Sequence, residues 1–232
     1  MEPGDGKAVA IVLAAGAGRR VGAEEPKAFL SIGGRPILAV AVGAAAASPL
    51  VGAVIVAAPS GWEERAERCL EGCGIPVLVV TGGETRQASV RAALDAVPAQ
   101  TSVVAIHDAA RPFAPPDLFT AVIAAVSERT PGAVPVSPVA DTVKQVADGL
   151  VVGTLDRERL ALAQTPQAFD VTALRVAHRR AAEAGLDLTD DSAALEHDGV
   201  AVAAVPGDPN NVKITTLFDL ANADARMGGP GD

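Results

Sequence analysis

Lysine is scarce in this chain: Lys7, Lys27, Lys144 and Lys213 are the only four, against fifteen arginines, and Lys27 and Lys213 stand in stretches built like ligand sites. Lys27 closes the run AAGAGRRVGAEEPK over residues 14–27, where small residues precede the paired arginines Arg19 and Arg20. Small residues let a backbone approach phosphate oxygens and turn its N–H groups toward them. Arginine forks match those oxygens in pairs, whereas a lysine ammonium is a compact point charge. Ala14, Ala15, Gly16, Gly18, Arg19, Arg20 and Lys27 therefore read together as a cradle for a nucleoside triphosphate, with Pro26 stiffening the approach to the lysine. A strand-turn with solvated arginines ranks second. A dinucleotide fits poorly, because Gly22 falls one residue late for the G-x-G-x-x-G spacing and the next strand ends in Ala57-Ala58-Pro59, without an acid for a ribose hydroxyl. A Walker loop fails because no G-K-[ST] follows.

Three further stretches carry chemistry. VVAIHDAARPF runs an apolar strand into Asp108 and Arg111, so that a carboxylate for a polyol hydroxyl or a cation stands next to a guanidinium for phosphate. An Asp–Arg pair that only braces the loop competes with that reading. His107 alternates to the opposite face from Asp108 and is expected to pack or hydrogen-bond. TGGETRQASV places Gly82 and Gly83 before Arg86 and Ser89, bare backbone against which a flat base can lie, with Thr85 as a helix N-cap in the plainer reading. PNNVKIT puts Lys213 on a strand-like segment, where it could complete a cation set with Lys27 and Arg20 around a transferring phosphoryl group.

Positioning these groups falls to an alternating chain. Apolar runs at 8–15, 51–57, 75–80, 103–107 and 133–136 are continuous, as strands covered on both faces must be. Helical repeats lie between them, at Val90, Ala93, Leu94 and Val97 and at Leu118, Val122, Ile123 and Val126, the second behind Pro115 and Pro116. Alternation of this kind predicts an α/β fold with a three-layer, mostly parallel, Rossmann-like sheet. Ligands in such sheets bind beyond the carboxyl ends of the strands. After Val136 the pattern breaks: DTVKQVADGLVVGTLDR reads as two β runs around Asp148-Gly149, a hairpin expected to project as an arm rather than join the core sheet. The expected organisation is one domain over 1–232 with a β-arm subdomain at 137–165. Helices are expected at 171–184 and 216–225, a short one in LTDDSAALEHDG capped near Thr189 or Asp190, and a strand at 201–205.

Composition narrows the partners. A net charge of −9 argues against nucleic acid, whose binders draw affinity from basic residues, so cations must be concentrated locally. Hydrophobic residues at 49 % suffice for a sizeable core, and no segment approaches the roughly 18 apolar residues of a membrane span. Glu2 and Asp5 stand where a signal peptide would be basic, so a cytoplasmic location is expected. Cys69 and Cys73, in CLEGC, lack metal-ligand spacing and read as free thiols one helical turn apart, suited to a reducing compartment.

LAAGAGRR, Pro26-Lys27, GGETR, VVAIHDAARP, Asp141-Thr142, LDR, QTPQAF, LTDD and NNVKIT follow in order over nearly the whole chain. Together they resemble the 2-C-methyl-D-erythritol 4-phosphate cytidylyltransferases of the non-mevalonate isoprenoid route. LAAG-x-G-x-R is common to many nucleotidyltransferases, whereas HDAARP, TPQ-x-F and N-x-K-[IV]-T in sequence are more specific. The resemblance implies a nucleotidyltransferase-type fold and transfer of a cytidylyl group from CTP to methylerythritol phosphate, with release of pyrophosphate. It implies that residues 14–20 with Lys27 hold the triphosphate, that Gly82, Arg86 and Ser89 lie at cytosine and ribose, and that Asp108, Ala109, Arg111, Thr189 and Lys213 hold the acceptor. Lys27, Lys213 and Arg20 would carry catalysis, and Mg²⁺ would be bound mainly through the triphosphate rather than by a protein cage. A homodimer would exchange the arm, lending Thr142, Arg157 and Thr165 to the partner's acceptor site. Val21, Phe113 and Thr85 are mild departures from the family pattern. The alternatives are a ribitol-5-phosphate cytidylyltransferase, which Ala15 disfavours because that group tends to carry glycine there, and a non-catalytic nucleotide-binding protein. A uridylyltransferase for amino-sugar phosphates would commonly add hexapeptide repeats, which this sequence lacks. Composition and spacing alone reach only an α/β protein with a phosphate-binding first loop.

Overall fold

The computed structural model describes residues 7–16 and 25–228. Strand β1 (Ala8–Leu13) shows how the layers arise. Ala10 and Val12 face one buried cluster while Val9 and Ile11 face the other, the period-two alternation of a strand with both faces covered. A two-stranded ribbon, β2 (Ser31–Ile32) and β3 (Arg35–Pro36), leads into α1 (Ile37–Ala46). Three strand–helix units follow: β4 (Val51–Ala58) with α2 (Glu63–Cys69), β5 (Val77–Thr81) with α3 (Arg86–Asp95), and β6 (Val103–Asp108) with α4 (Pro116–Ala125). β7 (Gly132–Pro138) leads to the arm hairpin, β8 (Lys144–Ala147) and β9 (Leu150–Thr154). The chain returns through β10 (Ala161–Ala163) and β11 (Gln167–Asp170), then α5 (Val171–Glu183), α6 (Ser192–His197), β12 (Val202–Pro206) and α7 (Leu217–Met227).

The central sheet has eight strands, running β5-β4-β1-β6-β11-β7. β1 pairs in parallel with β4 and β6, β4 with β5, and β7 with β12. β11 is antiparallel to both β6 and β7, a reversed strand wedged between the parallel ones. β10 continues along the same edge of β7, while β12 occupies the other. The side chains of α1, α2 and α4 pack on one face and those of α3, α5 and α6 on the other. The expected three-layer, mostly parallel sheet is the architecture found.

Several local expectations need correction. β1 ends at Leu13, two residues early, and β5 starts at Val77 rather than 75. α2 ends at Cys69, so Cys73 lies in the turn beyond it and the two thiols do not share a helical turn; both are half-buried. The N-cap of α6 is Asp191, one residue past the expected pair, although the Asp190 carboxylate accepts the Ala193 amide at 3.0 Å. Residues 211–215 form no strand, although Ile214 N–H donates to the Ala110 carbonyl at 2.8 Å. The arm hairpin forms its own two-stranded sheet, with positive φ at Asp148 (51°) and Gly149 (77°), as a primed hairpin turn demands. The expected 137–165 segment also contains residues of the main sheet, because Ala161–Ala163 pair with positions 136–138 of β7.

Candidate active site

The carboxyl ends of β1 and β6, the turn after β5 and the segment before α7 enclose a cleft of about 990 Å³. β1 delivers Ala14, Ala15 and Gly16, and Lys27 enters from the short 3₁₀ turn Lys27–Phe29. Asp108 and Ala109 come from the end of β6, Arg86 and Ser89 from the first turn of α3, and Lys213 and Thr215 from the crossing segment. Positions far apart in sequence thus meet at the switch region expected of such sheets.

The two lysines reach the cleft from opposite ends of the chain. Lys27 Nζ donates to the Ile214 carbonyl at 2.6 Å, and the next residue back, Lys213, donates to Asp108 Oδ2 at the same distance. Arg86 stands behind them, its Nε 3.5 Å from Asp108 Oδ1 and its terminal nitrogen 2.6 Å from the buried Asp191. Burial alone would raise the Asp108 carboxyl, but the neighbouring Arg86 and Lys213 outweigh it and hold the group down at about 2. Asp108 is therefore ionised throughout the working range. Burial likewise opposes charge on Arg86, and the Asp191 and Asp108 carboxylates more than restore it.

The turn after β5 is shaped by close approach. A methyl group on Gly82 would sit 2.5 Å from the Ala15 side chain and 3.1 Å from Ser89 Oγ, and one on Gly83 would overlap Ala88. Glycine at 82 thus keeps GGETR against the loop after β1, a requirement that exists before any base binds. Thr85 caps α3 as expected, its hydroxyl accepting from Ala88 N–H at 3.1 Å. Ser89 is buried, and its hydroxyl donates to the Thr85 carbonyl at 2.9 Å and accepts from Gly83 N–H at 3.1 Å.

The other expected residues differ in what the structure says of them. Gly18, Arg19 and Arg20 lie outside the described residues. Ala14 is nearly buried and its amide is committed to the Ala57 carbonyl at 2.9 Å, so that N–H is not turned toward a ligand. Arg111 does not pair with Asp108; it donates to the carbonyls of Asn211 (2.9 Å) and Ala163 (3.4 Å), tying β6 to the crossing segment and to β10. Thr142 and Arg157 lie exposed on the arm, with Arg157 donating to the Ala140 carbonyl. Thr189 is exposed beyond α5. Thr165, expected to serve a partner subunit, is instead buried in its own chain: its hydroxyl accepts from Asp108 N–H at 3.0 Å and meets His107 Nδ1 at 3.1 Å.

That hydroxyl belongs to a supporting layer that spacing did not reveal. Asn211, the buried residue that opens the segment carrying Lys213, donates to Gln164 Oε1 (3.1 Å) and to the Thr165 carbonyl (2.8 Å). Gln167 donates to Asp190 Oδ2 at 2.8 Å. The QTPQ and LTDD stretches supplied the signal, but only contact shows which side chain meets which.

His107 is packed as expected, fully buried between Thr165 and the Arg111 carbonyl, and burial pushes its imidazole down to about 4. An unfolded chain takes up a proton near the ordinary histidine value of 6.5, whereas the folded chain refuses it until about 4. Its contribution is therefore present above pH 6.5 and lost as pH falls toward 4. His107→Gln is expected to flatten that window. In urea unfolding, the parent should lose about 3 kcal/mol more than the variant across it, and identical losses would show that His107 is not held neutral.

Comparison with known proteins places these features in context. The sequence model of the 2-C-methyl-D-erythritol 4-phosphate cytidylyltransferase family matches residues 8–229. The protein of that name from Saccharopolyspora erythraea is 46 % identical over 221 residues, covering 94 % of this chain and 97 % of its own. Among solved structures, 4-diphosphocytidyl-2C-methyl-D-erythritol synthase of Anaerococcus prevotii superposes with a TM-score of 0.84 at 30 % identity, covering 96 % of this chain and 99 % of its own. The 2-C-methyl-D-erythritol 4-phosphate cytidylyltransferase of Thermus thermophilus does so at 0.78 and 35 %, covering 95 % and 98 %.

Proposed function

Since the chain belongs to the 2-C-methyl-D-erythritol 4-phosphate cytidylyltransferase family, we propose that the cleft at the ends of β1 and β6 is where it transfers the cytidylyl group of CTP to 2-C-methyl-D-erythritol 4-phosphate. The products are 4-diphosphocytidyl-2-C-methyl-D-erythritol and pyrophosphate, in the non-mevalonate route to isoprenoid precursors. One observation supports this reading above the others: the Lys27 ammonium is anchored on the carbonyl of Ile214, the residue next to Lys213, whose own ammonium meets Asp108 beside Arg86.

The nucleophile is a phosphate oxygen of the acceptor, already largely ionised near neutral pH because its second pKa is about 6. A general base is then unnecessary. What opposes reaction is repulsion between two anions and charge building at the α-phosphorus, and fixed cations answer both. Lys27 faces the triphosphate and Lys213 the acceptor phosphate in this reading, with Arg20 completing the set. Ala15, Gly16, Gly18 and Arg19 cradle the remaining phosphates, Gly82 and Ser89 border cytosine and ribose, and Asp108 orients a hydroxyl of the polyol.

Mg²⁺ fits as an ion that arrives on the triphosphate. Both oxygens of Asp108 are engaged by Arg86 and Lys213, and among the described residues no group of three or more His, Cys, Asp or Glu side chains could hold a metal. Magnesium commonly keeps several waters and takes substrate phosphates as ligands. Bound there, it would neutralise charge on the departing pyrophosphate.

The arm supports a homodimer with shared sites. Val146, Leu150, Val151 and Val152 are each more than 60 % exposed, apolar side chains on both faces of the hairpin that a second copy wrapped around the arm would cover, bringing Thr142 and Arg157 to the neighbour's acceptor. Mixed dimers of Lys27→Ala and Arg157→Ala chains are then expected to regain activity that neither parent has. No gain after subunit exchange would refute shared sites. A cytoplasmic location is part of the same proposal: the two cysteines are free thiols, and among the described residues no helix is long and apolar enough to cross a membrane.

The deciding assay is pyrophosphate release with Mg²⁺, crossing CTP, UTP and ATP with methylerythritol phosphate, ribitol 5-phosphate and N-acetylglucosamine 1-phosphate. Turnover confined to CTP with methylerythritol phosphate is expected. Preference for ribitol phosphate would move the acceptor, and nucleotide binding without turnover would leave a non-catalytic protein.

A further inference from the structure

Behind the acceptor side of the cleft, hydrogen-bonded and ion-paired polar side chains form an unbroken line from the core to the surface. His178, on α5, holds Asp191 Oδ1 at 3.0 Å through Nε2. Asp191 holds Arg86 at 2.6 Å through its other oxygen, Arg86 faces Asp108 at 3.5 Å, and Asp108 binds Lys213 at 2.6 Å. Side-chain exposure is 0 % at Asp191 and 3 % at His178, then 26 % at Arg86 and 40 % at Lys213, so the line begins dry and ends wet. Neither His178 nor Asp191 lines the cleft.

A carboxylate cut off from water is costly unless paired and hydrogen-bonded, and a buried ion pair is often no more stabilising than apolar side chains of the same volume. Stability alone is therefore a weak account of Asp191. Its geometry gives a better one. Each oxygen has one partner, so the carboxylate is held from two sides and presents a fixed acceptor to Arg86. The guanidinium is a rigid planar fork, and anchoring one edge determines where the other lies. Shared in this way, Arg86 approaches only one oxygen of Asp108, and the second stays with Lys213. An Arg86 released from Asp191 is free to grip Asp108 with both arms of its fork or to turn to solvent, and either move disturbs Lys213.

We propose that Asp191, oriented by His178, is a positioning residue for the transfer reaction: it anchors Arg86, and through Asp108 it sets where the Lys213 ammonium meets the acceptor phosphate. The proposal rests on the reading above that Asp108 and Lys213 serve the acceptor. It joins α3, α5, α6, the end of β6 and the crossing segment into one device on the acceptor side, leaving the triphosphate side to Lys27 and its loop.

The test is steady-state kinetics on the full chain, with CTP and methylerythritol phosphate varied separately. Asp191→Asn keeps the side-chain shape and removes the anchoring charge. It is expected to lower kcat/KM for the acceptor by about tenfold, the low end of losses seen when a partner that orients a site residue is removed. Most of that loss should be a raised acceptor KM, with the KM for CTP unchanged. His178→Ala should move the same constants in the same direction. His178→Gln, which keeps a donor toward Asp191, should recover most of the loss, and this pair carries the test if Asp191→Asn fails to fold. In a Lys213→Ala background, Asp191→Asn should add little further loss. A merely structural role would lower the melting temperature and the active fraction while both KM values stayed put, and that result overturns the proposal. Lys213→Ala measured alone separates the two readings. If it leaves the acceptor KM untouched, the acceptor-site assignment fails. If it raises that KM while Asp191→Asn and His178→Ala do not, only the positioning role fails.

Discussion

Lys27→Ala is expected to lower kcat about a hundredfold to a thousandfold while KM for CTP changes little, the scale seen when one donor aimed at developing charge is removed. The reason lies in when the charge appears. In the proposed site other groups would also hold the ground-state phosphates of CTP, so losing one cation should weaken binding only modestly. Negative charge concentrates at the α-phosphorus and the bridging oxygen only as the new bond forms, and a fixed ammonium acts there without having to reorganise. The Lys27 ammonium is held in place by the Ile214 carbonyl at 2.6 Å, beside the segment that carries Lys213. That bond also gives the substitution a structural side. Lys27→Met keeps the stem and lacks the charge, so it should match Lys27→Ala in kcat if charge is what matters. Unchanged kcat with a raised KM for CTP would reassign Lys27 to uniform binding.

Phe169→Ala is expected to have the largest effect on stability, about 3–5 kcal/mol, as for other fully buried aromatic truncations. Phe169 has no exposure, lies on the reversed strand β11, and fills the space over Gly132, where an added methyl would meet its ring at 3.0 Å. β11 joins β6 to β7, so the residue sits at the seam between the half of the sheet that carries β1 and β4 and the half that bears the arm. At roughly 2–4 °C per kcal/mol for a chain of this size, the melting temperature should fall by about 10 °C. Urea unfolding would check it, and a loss below about 1 kcal/mol would mean that the surrounding layer collapses to fill the space. Loss of this packing should also loosen Gln167 and its bond to Asp190, so activity is expected to fail before the chain unfolds.

Much of the scaffold was legible because strands covered on both faces must be apolar throughout. That rule located β1, β4, β5, β6 and β7 to within a few residues at their ends, and Asp148-Gly149 located the arm's turn by backbone chemistry alone. Thr85 was readable at a helix start for a similar local reason, its hydroxyl accepting an orphan amide of the first turn, whereas Thr216, expected as the first helical residue, turns out to be the N-cap of α7. α1 escaped notice because ILAVAVGAAA is apolar on every side and carries no stripe for periodicity to find. β11 escaped because four residues with two apolar side chains have no signal of their own; pairing on both edges makes them a strand. The site divides along the same line. Lys27 and Asp108 could be named because side-chain type and the switch-point rule point to the ends of strands, and Lys213 because a scarce lysine stands in PNNVKIT. Partners could not be named, since a hydrogen bond between residues 105 apart leaves no trace in spacing. Arg86 was expected at cytosine and ribose, Arg111 at the acceptor phosphate with a bracing pair to Asp108 as the competing reading, and Thr165 as a residue lent to a neighbour. Tertiary packing gave Arg86 to Asp191 and Asp108, Arg111 to backbone carbonyls, and Thr165 to its own His107. Residue type sets what each group can do, but its partner is settled only when the chain closes and buried polar atoms must be satisfied.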